Sequence, residues 1–121
     1  MMKPHINSTQ FGSITIEGEE YDHDVLIRLD GEIKKRKKKL SKAIYGTSHV
    51  ISLDEAQYVF EQGAERLILG TGQTCLVKLS DEAAGFFSEN KCQVQMFPTP
   101  EAIQIWNKSD GEIIALFHVT C

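Results

Sequence analysis

Residues 113–119 read Ile113-Ile114-Ala115-Leu116-Phe117-His118-Val119, with only Thr120 and Cys121 after them. A strand with one face in water alternates apolar and polar side chains, whereas a strand covered on both faces is apolar throughout. This stretch is of the second kind and predicts a central strand held between two layers. Chain ends fray in solvent unless they dock. His118, Thr120, the Cys121 thiol and the terminal carboxylate are therefore expected at the end of a central strand, where open α/β sheets form their sites.

Working back from that strand, helices and strands alternate. Thr99-Pro100 opens a helix with Thr99 expected at the N-cap and Pro100 at N1, where a missing N–H costs nothing. Its apolar stripe is Ala102, Ile103 and Trp106. A strand over 92–97 precedes it. Before that comes a helix capped by Ser80, with Asp81 and Glu82 favourable to the dipole and Ala83, Ala84 and Phe87 on its apolar face. A strand over 66–69 comes earlier still. Ser52-Leu53-Asp54-Glu55 is a capping box, in which Ser52 and Glu55 each accept from the other's N–H. The helix it opens carries Leu53, Ala56, Val59 and Phe60 on one stripe, with Gly63 expected at C′. Such alternation implies at least partly parallel pairing with helices on the sheet faces.

The front of the chain has a different period. Residues 11–17 alternate as a half-buried strand, Gly18-Glu19-Glu20 turns, and 21–29 reads as a second strand with Val25, Ile27 and Leu29 on one face. Asp30-Gly31 is a hairpin signal, and a third strand follows over 32–36. This predicts a β-meander. Residues 37–48 show no clear period, and Tyr45-Gly46-Thr47-Ser48-His49 reads as an ordered loop. The expected organisation is a tail over 1–10 and one domain over 11–121.

Composition narrows the function classes. The chain carries a net charge of −4, and seven of its thirteen basic residues lie within 34–42, directly after seven acids within 17–32. Two neighbouring strands or loops that attract each other across a hairpin account for this better than a nucleic-acid patch, because general nucleic-acid binders carry basic domains. The run has no interleaved aromatics for base stacking. The three cysteines form no CxxC pair, which fits a reduced, cytosolic protein better than a disulfide framework. No apolar run reaches transmembrane length, and 1–10 lacks a signal-peptide apolar stretch.

No complete catalytic or metal motif emerges. Gly70-Thr71-Gly72 follows a strand, but a dinucleotide fingerprint needs a third glycine and an immediate helix. A tight turn forced by packing outweighs phosphate binding there. His118 and Thr120 share one face of a strand, and Val119 and Cys121 the other. A Cys121–His118 pair would need a bend, and Cys121 is expected to be positioned rather than reactive. Asp22 and Asp24 share a face and could offer a hard cation two ligands, though a polar outer face explains them better. His49 shows no carboxylate partner in sequence, and Cys75 and Cys92 read as small buried residues.

Tyr21-x-x-Asp24, Tyr45-Gly46-Thr47-Ser48-His49, Gly70-Thr71-Gly72, Pro98-Thr99-x-Glu101-Ala102 and His118-Val119-Thr120-Cys121, in this order, resemble a small conserved domain family. It includes uncharacterised archaeal and bacterial proteins, a vertebrate adipogenesis-associated domain protein and a mitochondrial complex I assembly factor. The resemblance spans about Phe11 to Cys121 and looks most like archaeal members. It implies a three-layer α/β domain: a mixed central β-sheet with helices, plus a separate small antiparallel β layer from the N-terminal meander. It does not imply an enzyme, since the family has no established reaction. Residue by residue it marks Gly70, Gly72, Thr99, Glu101, Ala102, Asn107, His118, Thr120 and Cys121.

The functional expectation is a cytosolic, non-catalytic module that binds a partner protein or a small anionic ligand, with no cofactor and no metal. Its site is expected in a strand-end crevice of Gly70, Thr71, Gly72, Thr99, Glu101, Asn107, His118, Thr120 and Cys121. Within it, the amides near Gly70 and Thr71 and those at the Thr99 helix start are expected to face one shared anion pocket. An enzyme or redox protein using Cys121 is the alternative, and nucleic-acid binding through 34–42 ranks below it. Homo-oligomerisation is left open.

Overall fold

A computed structural model of the chain describes residues 3–74 and 77–120. Three short strands open it: β1 (Ile6–Gln10), β2 (Ser13–Ile16) and β3 (Glu19–Tyr21), a small antiparallel sheet in the order β1-β2-β3. There follow β4 (Val25–Ile27), β5 (Ile33–Lys35), α1 (Lys39–Tyr45), β6 (Val50–Ile51), α2 (Leu53–Val59), β7 (Arg66–Gly70), β8 (Lys78–Leu79), α3 (Asp81–Glu89), β9 (Gln93–Phe97), α4 (Thr99–Lys108) and β10 (Ile113–Phe117). The central sheet runs β5-β4-β10-β7-β9. Strands β10, β7 and β9 are parallel, while β4 is antiparallel to both β10 and β5. The sheet is thus mixed. A two-stranded parallel patch pairs β6 with β8.

The β10 run is buried at every position, as a doubly covered strand requires. Its alternate residues serve two cores. Ile113, Ala115 and Phe117 face α4 and the N-terminal sheet, together with Val25, Ile27 and Ile68. Ile114 and Leu116 face α2 and α3, with Leu26, Leu67 and Leu69. Period-two alternation within continuous apolar runs is what lets one sheet wall both cores.

Four expectations change. Residues 6–10 are not a tail: Ile6 is buried, Asn107 brackets it by accepting from its N–H and donating to its carbonyl, and Trp106 Nε1 donates to the Pro4 carbonyl at 2.8 Å. The strand expected over 21–29 is two strands in different sheets, parted by a bend at residues 22–23. The pattern hides the break because Tyr21, Val25 and Ile27 all pack against the same core. Helix α1 leaves no apolar stripe to read, because only Ser41 of its residues is buried. Finally, α2 ends at Val59 with Phe60 already extended, ahead of Gly63. Phe60 turns out of the helix to meet Phe86 and Phe87 edge to face.

Among the described residues, no helix is long and apolar enough to cross a membrane.

Candidate functional site

The end of β10 is joined to its neighbours by charge. Because Phe117 pairs with Val25, and Val25 with Lys35, the same registers bring His118, Asp24 and Arg36 side by side one residue further on. Asp24 Oδ1 accepts the Val119 N–H at 2.9 Å, and Oδ2 lies 2.7 Å from His118 Nδ1 and 3.0 Å from Arg36 Nη1. Arg36 reaches on to α2. Its Nε and Nη2 donate to the two Glu55 oxygens at 2.6 and 3.1 Å, and Nη2 also donates to the Ser48 carbonyl. Ser41 donates to Glu55 from the first turns of α1. Asp24, Arg36, Ser41, Glu55 and His118 are all buried.

The electrostatics follow from that geometry. Burial pushes the Asp24 carboxyl up, but the His118 hydrogen bond and charge, the Val119 N–H and Arg36 outweigh it and hold the group at about 2. Burial likewise lowers Arg36, and Glu55 and Asp24 more than restore it, so its pKa is raised. No buried side-chain nitrogen or oxygen lacks a hydrogen-bond partner among the described residues. A network satisfied in this way fixes geometry. The same network with one charge removed would be costly.

Two sequence expectations are revised here. The capping box is one-sided: Ser52 Oγ accepts the Glu55 N–H, but the Ser52 N–H goes to Ser41 Oγ because Glu55 is committed to Arg36 and Ser41. Asp22 and Asp24 do not share a face, since Asp24 is turned into the core and Asp22 is exposed. Nor is 34–42 one basic surface. Arg36 leaves it for the interior, and the six lysines remain exposed.

The strand-end residues come together, but as a closed knot. The Thr71 N–H donates to the Phe97 carbonyl, the Gly72 N–H to Thr99 Oγ1 and the Thr99 N–H to the Gly72 carbonyl. Thr99 Oγ1 in turn donates to the His118 carbonyl at 2.6 Å. A Cβ on Gly70 would lie 2.8 Å from both Phe117 and Thr99, so glycine is required for close approach. The shared anion pocket expected here is filled, with its donors taken by acceptors of the chain itself. Thr99 is the first helical residue rather than the cap, which is Pro98, and its hydroxyl is used across the knot. Glu101 is exposed on α4, and Asn107 sits at the far end of that helix, holding β1. Cys75 and Cys121 lie outside the described residues.

His118 keeps one further contact of chemical interest. Its Nε2 lies 3.2 Å from Thr120 Oγ1, and its ring meets that of His49 edge to face at 5.4 Å. In the tautomer that carries its proton on Nδ1, the ring donates to Asp24 and leaves Nε2 to accept from the Thr120 hydroxyl. Carboxylate, imidazole and hydroxyl in that order form an acid–base relay.

An apolar groove lies elsewhere and shares no residue with this network. A groove of about 500 Å³ runs between α3 and β9, lined by Leu79, Phe87, Lys91, Cys92, Val94 and Met96 among others. Burial pushes the Cys92 thiol up to about 11, which makes it inert packing rather than a nucleophile. Strand β9 is an edge of the central sheet, with β7 on one side only. The Gln93 N–H donates to Glu65 and the Phe97 carbonyl accepts from Thr71, both on the β7 side. By the period of two, the N–H and C=O groups of Val94 and Met96 point outward. Met96 is 46% exposed.

Sequence reasoning missed Arg36, Ser41 and the pairing role of Glu55, and it placed the 92–97 strand without giving it a functional role. For two of these a signal existed. Arg36 is the one arginine in a run of lysines, and Gln93-Val94-Gln95-Met96-Phe97 is a strand without a charge.

Residues 6–117 match the family described as "Protein of unknown function (DUF498/DUF598)". Among solved structures, the conserved hypothetical protein PH1505 from Pyrococcus horikoshii OT3 superposes with a TM-score of 0.90 at 33% identity, covering 99% of this chain and 100% of the other. A protein designated MT938 superposes at 0.83 with 30% identity over 98% and 100%. A Bordetella pertussis protein described as an Mth938-like domain gives 0.69 at 12% identity over 96% and 85%, a likeness of fold. No curated protein matches the chain.

Proposed function

The chain belongs to the DUF498/DUF598 family, for which no function is known, and from that premise we propose that it is a protein-binding module whose docking edge is β9. One observation carries the reading: β9 is a five-residue edge strand with no charge, no proline and an apolar groove alongside. Folded proteins blunt exposed edges with lysines, prolines, bulges or covering elements, and β9 has none of the first two. An extended, uncharged polypeptide segment adds there as a sixth strand. Its backbone pairs with Val94 and Met96, and its alternate side chains enter the groove, which is the strand-addition mode of recognition. The strand-end knot of residues 70–72, Thr99 and His118 supports this edge by fixing the end of β9 through Phe97 and Thr71.

The test is a titration of the dilute, isotope-labelled chain with the synthetic peptide Val-Thr-Val-Thr-Val, following backbone amide shifts. Shifts confined to Val94, Met96 and the groove residues Leu79 and Phe87 support the reading. Shifts elsewhere, or none, overturn it.

A second reading, hydroxyl-based acyl transfer, is favoured by the Asp24–His118–Thr120 relay. In it Thr120 gives its proton to His118 Nε2 while its oxygen attacks the carbonyl carbon of an ester, whose C–O bond then breaks as the leaving alcohol takes that proton from His118, leaving an acyl-Thr120 that water hydrolyses. A fluorophosphonate probe that labels Thr120, with labelling lost in His118→Gln, would promote it. An unlabelled chain removes it.

A further inference from the structure

The docking edge is self-complementary. We infer that the partner on β9 is a second copy of this chain, paired antiparallel about a two-fold axis at Gln95. This names the occupant for the proposed docking reading and rests on it.

The register is determined by which backbone groups are free to pair. Only Val94 and Met96 present outward N–H and C=O groups within the strand. In an antiparallel pair these residues must face one another to exchange both bonds. Centring on Gln95 sets Val94 opposite the partner's Met96 and Met96 opposite the partner's Val94, so every outward group of both strands is used. Sliding by one step toward the C-terminus sets Val94 opposite the partner's Pro98, which has no N–H. Sliding the other way sets Met96 opposite the partner's Cys92, whose N–H already donates to Phe87.

The side chains agree with that register. Val94 and Met96 line the α3 groove, so the pairing places four apolar side chains in one cluster joining the two grooves. Gln95 meets its own copy on the opposite face, and Gln93 meets Phe97. No charged residue of the strand faces itself, although each copy carries a net charge of −4. Beside the strand, the exposed Lys91 of each copy comes toward the start of the partner's α4, where Glu101 is exposed. Symmetry repeats that opposite-charge approach. Such an interface is isologous and closes after two copies, so the bare edge leads to a dimer rather than a fibre.

Two measurements on the full chain decide it. Sedimentation equilibrium across a wide range of protein concentration should show a monomer–dimer equilibrium, weakened about tenfold or more by Met96→Lys through loss of two symmetric cross-strand apolar pairs. In the paired register Gln95 lies opposite itself in a non-hydrogen-bonded pair, with Cα atoms about 4.5 Å apart, within disulfide reach. Gln95→Cys should therefore give a covalent dimer on mild oxidation, while Gln93→Cys and the unaltered chain should not. A dimer that survives Met96→Lys unchanged, or cross-linking at Gln93 as ready as at Gln95, overturns the inference. A chain that stays monomeric while the synthetic peptide still shifts Val94 and Met96 overturns self-pairing alone. Monomer together with no peptide shifts overturns the docking reading as well.

Discussion

The two edges of the central sheet are built on opposite rules. Strand β5 is three residues long, exposes Lys34 and Lys35, and hands the chain to Arg36, which sinks between Asp24 and Glu55. Strand β9 is five residues long, carries no charge and exposes Met96 beside an apolar groove. The lysines repel an added strand, and the arginine bolts the β5 edge to α2. The contrast teaches that edge protection is available to this fold and is used on one side. The side without that protection is the one we propose for docking.

The largest effect should come from unbolting β5. Arg36→Met leaves Asp24 and Glu55 buried without their cation, and breaking a buried pair in this way costs about 3–5 kcal/mol. Urea unfolding should show that loss. At a dilution where the chain is monomeric, Met96→Lys on β9 should move stability by less than about 0.5 kcal/mol, as for an exposed site. Equal losses at the two sites would erase the distinction between a locked edge and an open one.

Acid sharpens the same comparison. Asp24 is lowered from 3.8 to about 2 in the folded chain, so the unfolded state binds its proton first as the pH falls. Its contribution is complete above 3.8 and is lost as the pH drops to about 2, amounting to about 2 kcal/mol on the order-of-magnitude scale of linkage. Urea titrations across that window should show the loss in the parent chain and a flatter profile in Asp24→Asn. An identical pH profile in the two would mean that the β5 lock does not depend on this carboxylate.

The smallest effect on stability, and the most direct on edge behaviour, should follow from removing the lysines. The double variant Lys34→Thr, Lys35→Val should change unfolding free energy by about 0.5 kcal/mol or less, yet make β5 associate. Light scattering should detect larger species than the parent forms. If the variant's mass distribution matches the parent's, the lysines are not what guards that edge.

Much of this is legible in the sequence. Ser52 and Ser80 announce their helices because a hydroxyl cap is a local feature, and residues 113–117 announce a central strand because double burial leaves no polar position. The meander and the central sheet cannot be separated at Asp22, since both sheets face one core and the apolar period runs through the break. Residues 6–10 look like a tail because β1 is held by Asn107 and Trp106, far along the chain. The end of β10 gathers Gly70, Gly72, Thr99 and His118 but not Glu101 or Asn107, and whether Gly72 and Thr99 bind a ligand or each other depends on a tertiary contact that spacing does not encode. Arg36 is hidden for the same reason: its two carboxylates come from β4's threshold and from α2.

The most direct test of the open edge is amide hydrogen exchange followed against protein concentration. The Val94 and Met96 amides point out from β9, and the Ile33 and Lys35 amides point out from β5, since the Arg36 N–H turns inward to Asp24. Val94 and Met96 should slow as concentration rises, while Ile33 and Lys35 exchange at one fast rate throughout. Fast exchange at Val94 and Met96 at every concentration, or protection that builds at Ile33 and Lys35 instead, would contradict pairing through β9.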